Sequence, residues 1–193
     1  MEDLHIKLNS RFLLRDFHEA DRAAFIAYQT DPRYRSLYNL DDDETRAHQL
    51  FDLFNKWTKE SPRLNFQLGI FEQDTGHLCG CAGLRSAEAP PGQAELGIEL
   101  APVQWGRYRL ALDTAGALIE YGFSELGFNT VFGVTASGNT RVEKLSKWFG
   151  ATIIESRAGP KWMGERGWKE VVWKLDRDAW ENAKRPDFKK TLE

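Results

Sequence analysis

The chain has 193 residues, 41% hydrophobic and 28% charged, with a formal net charge of −3. One domain with a proper hydrophobic core follows from that length. The charge balance offers no bulk attraction to nucleic acid or an anionic membrane, and no apolar run approaches the ~20 residues that cross a bilayer.

Residues 11–15 (Arg-Phe-Leu-Leu-Arg) read as a first strand. Asp16 with Glu19 resembles a capping box that opens a helix whose apolar face is Phe17, Ala20, Ala24 and Tyr28. Asp31-Pro32 is expected to end it. A second helix runs from about Asp43 to Lys59, with Ala47, Leu50, Phe51, Phe54 and Trp57 on one stripe, until Ser61-Pro62 breaks it. Residues 65–71 and 77–84 then read as strands around the turn Asp74-Thr75-Gly76.

A Pro-Pro-Gly turn at 90–92 precedes a strand at 94–100, and residues 112–126 form a helix stopped by Gly127. A short strand at 130–135 follows. Val142, Leu145 and Phe149 mark another helix closed by Gly150, and residues 151–156 and 170–175 supply two last strands. The order is that of one mixed α/β domain over residues 1–180, with a polar, basic tail at 181–193. Cys79 and Cys81 lie two apart in a strand, pointing to one face as packed, reduced thiols. Scattered histidines and a lone C-x-C leave no metal site. The acidic N-terminus lacks a signal-peptide core, so a cytoplasmic location is expected.

The segment between the strand 94–100 and the next helix, Pro-Val-Gln-Trp-Gly-Arg-Tyr-Arg-Leu-Ala (102–111), carries the strongest chemical signal. A basic, Gly-containing turn entering a helix is a place to hold phosphate, through exposed N–H groups and the helix dipole. No Ser, Thr, Asp or Asn lies between 105 and 111 to cap a helix starting there. The alternative is a later start capped by Asp113 or Thr114.

Element order and local phrases resemble the GNAT superfamily of acyl-CoA N-acyltransferases, within it the RimJ/RimL type that acetylates protein N-termini. The phrases are Arg11-Phe-Leu-Leu-Arg15, Glu95-Leu-Gly-Ile-Glu-Leu-Ala-Pro-x-x-Trp-Gly106, Tyr121-x-Phe-x-x-Leu-Gly127 leading to Asn139, and Gly167-Trp-Lys-Glu-Val-Val-Trp173 with Trp180. The resemblance implies a sheet whose fourth and fifth strands splay apart, flanked by helices, with acetyl-CoA as acyl donor. It assigns Leu100, Gly106, Arg107, Tyr108, Arg109, Leu110, Ala111 and Asn139 to the cofactor. Relatives carry Gln/Arg-x-x-Gly-x-Gly/Ala at the turn. Here Arg109 stands where the first glycine belongs, and Val142 stands where many relatives place a serine near the thioester sulfur. Ser137 and Thr140 are the hydroxyls nearby.

Acetyl transfer needs a base to take the ammonium proton of the acceptor. Glu95 and Glu99 share one face of the strand 94–100, and Glu95 stands about where several relatives place their base; Glu99 is the second choice. Either is also a plausible surface carboxylate. The acidic run Asp41–Glu44 suits a cationic amine, or simply a helix start. Trp162 and Trp168, in the loop 157–168, serve either the acceptor or a homodimer contact. The expected activity is acetyl-CoA-dependent N-acetylation of a primary amine, on a peptide or a small molecule. The alternative is a degenerate protein of the same fold that binds CoA weakly or a protein partner, and a longer acyl donor is a third reading.

Overall fold

The computed structural model describes residues 3–40 and 43–182. Eight strands form one sheet: β1 (His5–Lys7), β2 (Phe12–Arg15), β3 (Asn65–Glu72), β4 (Leu78–Arg85), β5 (Gln93–Leu100), β6 (Thr130–Ala136), β7 (Thr152–Arg157) and β8 (Glu170–Asp176). Their order is β1-β2-β3-β4-β5-β6-β8-β7. Every neighbouring pair is antiparallel except β5 and β6, which run parallel. The helices are α1 (Arg22–Gln29), α2 (Pro32–Tyr38), α3 (Thr45–Trp57), α4 (Tyr108–Ser124), α5 (Thr140–Trp148), α6 (Lys161–Glu165) and α7 (Arg177–Asn182).

The sheet divides two cores. Leu68, Ile70, Leu84 and Leu96 pack with Leu112, Ala115, Ile119 and Phe123 of α4. On the opposite face Phe17, Phe25, Phe51, Phe54 and Phe71 form an aromatic cluster that seats α1 and α3. Helix α4 comes close to the sheet because Gly122 has no side chain there: a Cβ would meet Leu84 Cδ1 at 2.9 Å.

Five expectations are corrected. Asp16 does not cap a helix. It is buried, accepts from Arg63 Nη1 and Nη2 at 3.0 and 2.7 Å and from Leu4 N at 3.0 Å, and α1 begins only after a 3-10 turn at Glu19–Asp21. The buried face of α1 is therefore Phe25, Ile26, Tyr28 and Gln29, while Ala20 and Ala24 are exposed. Pro32 opens α2 instead of merely ending α1, because Asp31 caps it by accepting from Arg33 N at 2.8 Å and proline suits a first helical position.

The two cysteines face opposite sides. The β3–β4 register slips between Ile70 and Phe71 opposite Gly80, whose φ is 148°, so Cys79 joins the α4 core and Cys81 the aromatic one. Glu181 and Asn182, expected in the tail, end α7; residues 183–193, with Asp41 and Asp42 of the acidic run, lie outside the described residues. Among the described residues, no helix is long and apolar enough to cross a membrane.

Candidate active site

Strands β5 and β6 pair only from Gln93–Glu95 to Thr130–Phe132. Beyond that point β5 keeps β4 as a neighbour and β6 keeps β8, so the two part and leave a wedge. The free stretch Leu96–Leu100 spans about 13 Å at ~3.3 Å per residue. Odd and even positions of β5 serve opposite faces. Leu96, Ile98 and Leu100 lie against the α4 core, whereas Glu95, Gly97 and Glu99 face α1 and α2.

At the open end of the wedge the chain turns into α4. A 3-10 turn at Pro102–Gln104 is tied back by Trp105 Nε1, which donates to Leu100 O at 2.8 Å. Gly106 has φ 93°, a conformation that favours glycine, and nothing lies within 4 Å of where its Cβ would be. Helix α4 starts at Tyr108, not at residue 112, and no side chain caps it. Tyr108 N donates to Gly106 O at 2.9 Å and Leu110 N to Arg107 O at 3.1 Å. The Arg109 N–H donates to nothing among the described residues. Leu110 is buried in the core, so its side chain is closed to a ligand.

Beside this turn lies a cavity of about 510 Å³ lined by Arg11, Arg107, Arg109, Asn9, Tyr108 and Asp113, among others. Gln104 is buried, and its Oε1 has no hydrogen-bond partner among the described residues. An uncapped helix start, an open glycine and a guanidinium cluster fit the phosphates of CoA. The parted strands, which pair with each other only as far as Glu95 and Phe132 among the described residues, fit its extended arm. At the wedge's other wall Asn139 caps α5, its Oδ1 accepting from Val142 N at 3.3 Å. Ser137 ties β6 to the segment before β8, its Oγ accepting from Lys169 N at 2.9 Å.

The two glutamates have different surroundings. Glu95 accepts from Arg85 Nη2 at 3.0 Å, with both side chains about one-third exposed (35% and 33%). Glu99 is enclosed by donors. Tyr28 Oη donates to Oε1 and Tyr34 Oη to Oε2, each at 2.6 Å; Gln29 Nε2 also donates to Oε1, and the Cys81 thiol does so at 3.3 Å. Burial, with Cys81 and Glu99 alongside, pushes the Tyr28 hydroxyl well above its usual range. Burial, then Glu99, does the same to Tyr34 and Cys81, so all three stay protonated as donors. Glu99 thereby takes four donors, three on Oε1 and one on Oε2, whereas Glu95 takes one and keeps lone pairs for other partners.

The sequence reading missed this cage, because Tyr28 looked like core and Tyr34 belongs to a helix that was not expected. It also missed Arg166, which donates to Ser36 O at 3.1 Å and Leu37 O at 3.2 Å and lies 5.2 Å from the ring centres of both Trp162 and Trp168. Arg166 thus ties the Trp-bearing loop to the end of α2.

A mixed sheet with one parting parallel pair, followed by an uncapped helix start beside a guanidinium cluster, suits the class of acyltransferases that take a CoA thioester. The comparisons narrow this class. The model of the acetyltransferase (GNAT) domain matches residues 11–152, so the chain belongs to that family and is an N-acetyltransferase using acetyl-CoA. It is 26% identical over 147 residues to the uncharacterized N-acetyltransferase p20 of Bacillus licheniformis, covering 75% of this chain and 79% of that one. It is 28% identical over 138 residues to the uncharacterized N-acetyltransferase YoaA of Bacillus subtilis strain 168, covering 70% and 76%. The fold matches spermidine N-acetyltransferase from Vibrio cholerae, solved with CoA and spermine, at a TM-score of 0.74 and 17% identity over 90% of this chain and 100% of that one. A ribosomal-protein-serine acetyltransferase, so described as putative, from the same organism matches at 0.68 and 19% identity over 90% and 97%.

Proposed function

We propose that the protein acetylates a primary amine, on a small molecule or at a peptide N-terminus as in the RimJ/RimL type it resembles, with Glu95 as the general base. The observation that carries this reading is the parting of β5 and β6 immediately after Glu95, on the face that α1 and α2 cover. Acetyl-CoA supplies the activated acyl group. In the transfer an N–C bond forms, a C–S bond breaks, the amine nitrogen loses a proton and the departing sulfur gains one. Glu95 takes the proton from nitrogen. Arg107, the Arg109 N–H and Gly106 hold the phosphates, and the spare amide of Asn139 contacts the arm. Glu99 is a positioning residue that fixes α1 and α2 over β5. Two unpaired, buried cysteines suit a reducing cytoplasm.

Thermal shift with acetyl-CoA, followed by thiol release over a panel of amines and peptides, tests the reading. At 100 times its dissociation constant the donor stabilises the fold by ~2.7 kcal/mol. Glu95→Gln is expected to keep that shift and to lower turnover by ~10²-fold or more. Absence of a shift at millimolar acetyl-CoA would leave a degenerate fold, and unchanged turnover in Glu95→Gln would remove Glu95 as the base.

A further inference from the structure

The face that carries Glu95 holds a second group of polar atoms, over a floor without side chains. Gln67, Gly83 and Gly97 are opposite one another on β3, β4 and β5. A Cβ on Gly97 would lie 2.9 Å from Arg85 Nη2 and 3.2 Å from Nη1, so the guanidinium occupies the space above that glycine. A Cβ on Gly83 would lie 2.6 Å from Gln67 Oε1. The amide is oriented by its nitrogen, which donates to Cys81 Sγ at 3.2 Å. Its oxygen is buried with no donor among the described residues.

Arg85 uses one nitrogen. Nη2 donates to Glu95, while Nε and Nη1 donate to nothing among the described residues, in a side chain one-third exposed. Nη2 has a second hydrogen, which pairs with the free Nε or Nη1 hydrogen on its edge to take a carboxylate through parallel bonds, which a neutral carbonyl or an amine cannot match. Glu95, paired with Arg85 and one-third exposed, offers an acceptor to an ammonium. The floor therefore presents complementary partners to both ends of an amino acid, next to the point where the strands part.

We propose that the acceptor is a small amine that carries a carboxylate, an amino-acid-like compound whose carboxylate rests on Arg85 while its nitrogen stands by Glu95. This rests on the acetyltransferase reading above. A polyamine would bring only positive charge against Arg85. A peptide N-terminus would bring a neutral carbonyl where the carboxylate sits.

The test compares thiol release, at saturating acetyl-CoA, for amino acids, their carboxamides, short peptides and putrescine, in the wild type, Arg85→Gln and Arg85→Lys. The wild type is expected to favour the acids over their carboxamides by about 10-fold or more in kcat/KM. Arg85→Gln should abolish that ratio with the KM for acetyl-CoA within about twofold of wild type, and Arg85→Lys should keep part of it. The ratio is internal to each protein, so a general loss of stability does not move it. Equal rates for acid and carboxamide, putrescine or peptide as the fastest acceptor, or a preference that survives Arg85→Gln would overturn the proposal. Thiol release from no acceptor at all would instead overturn the acetyltransferase reading on which it stands.

Discussion

Asp113 holds Arg109 along α4, to the side of the turn that enters the helix. Its Oδ1 lies 2.7 Å from Arg109 Nε, one helical turn back along α4, in an ion contact without hydrogen-bond alignment. The guanidinium is 75% exposed and the carboxylate 7%, and Asp113 Oδ2 accepts from Asn9 Nδ2 at 3.1 Å. By resemblance to the family's turn, Arg109 takes the place of a glycine that would let phosphate approach the backbone. Drawn along the helix, its side chain leaves its own N–H uncovered and its charge beside the cavity.

Loosening that hold should therefore act through Arg109. Asp113→Asn keeps the side chain's volume and its contact to Asn9, and loses the charge. Acetyl-CoA affinity by calorimetry is expected to fall about 3- to 10-fold, or about 0.7–1.4 kcal/mol. In an Arg109→Gly background the same change should cost less than half as much. Equal losses in both backgrounds would show that Asp113 works through the fold rather than through Arg109.

Glu95 and Glu99 should separate into one residue that moves turnover and one that moves stability. Glu99→Gln sets an amide nitrogen among the hydroxyls of Tyr28 and Tyr34 and the Gln29 amide, leaving buried donors without an acceptor. The expected cost is about 2–4 kcal/mol, which at ~2–4 °C per kcal/mol lowers Tm by roughly 4–16 °C. Glu95→Gln breaks a pair that is one-third exposed, so its stability effect should stay within about 1 kcal/mol. Calorimetric melting and thiol release on the two variants check the division. A stable Glu99→Gln with no activity would exchange the roles.

Alkaline pH should weaken the fold before it weakens most surface pairs. Burial lifts the Cys79 thiol to about 11 and pushes Cys81, Tyr28 and Tyr34 above their ordinary values. Each group is neutral when protonated, and the folded chain holds its proton more tightly than the unfolded chain. The stabilisation is complete below the unfolded pKa and disappears as pH rises through the folded one. For Cys79 the window runs from about 9 to about 11. Urea midpoints are expected to be level from pH 7 to 8.5 and to fall at pH 9.5 and 10.5. A level or rising midpoint across that range would contradict the burial of these groups.

The path from β5 into α4 was legible because a strand alternation, a basic turn and a helix stripe follow one another within a single stretch of sequence. The site's polar partners were not, because they come from distant elements: Glu99 meets Tyr28 and Tyr34, and Arg166 meets Ser36 and Leu37. Proline and alternation also misled locally. Pro32 reads as a breaker, yet with Asp31 before it the same residue begins α2. The pair Cys79 and Cys81 obeys the two-residue period of a strand only if no residue is inserted, and the bulge at Gly80 sends them to different cores.

Asp16 illustrates how such a long-range partner decides local structure. Its two oxygens take both Arg63 Nη groups while Oδ2 also accepts from Leu4 N, joining the strands β1 and β3 to the entrance of α1. Both side chains are nearly buried, at 5% and 11% exposure. Removing one charge strands the other in a low-dielectric site, so Asp16→Asn is expected to lose about 3–5 kcal/mol in urea unfolding. Arg63 also lies 4.7 Å from the Phe66 ring centre, so an apolar replacement retains part of its packing. Asp16→Asn combined with Arg63→Met should then recover more than half of the loss, because no lone charge remains buried. If the double variant is as unstable as the sum of the single changes, the pair is not coupled, and the late start of α1 has another cause.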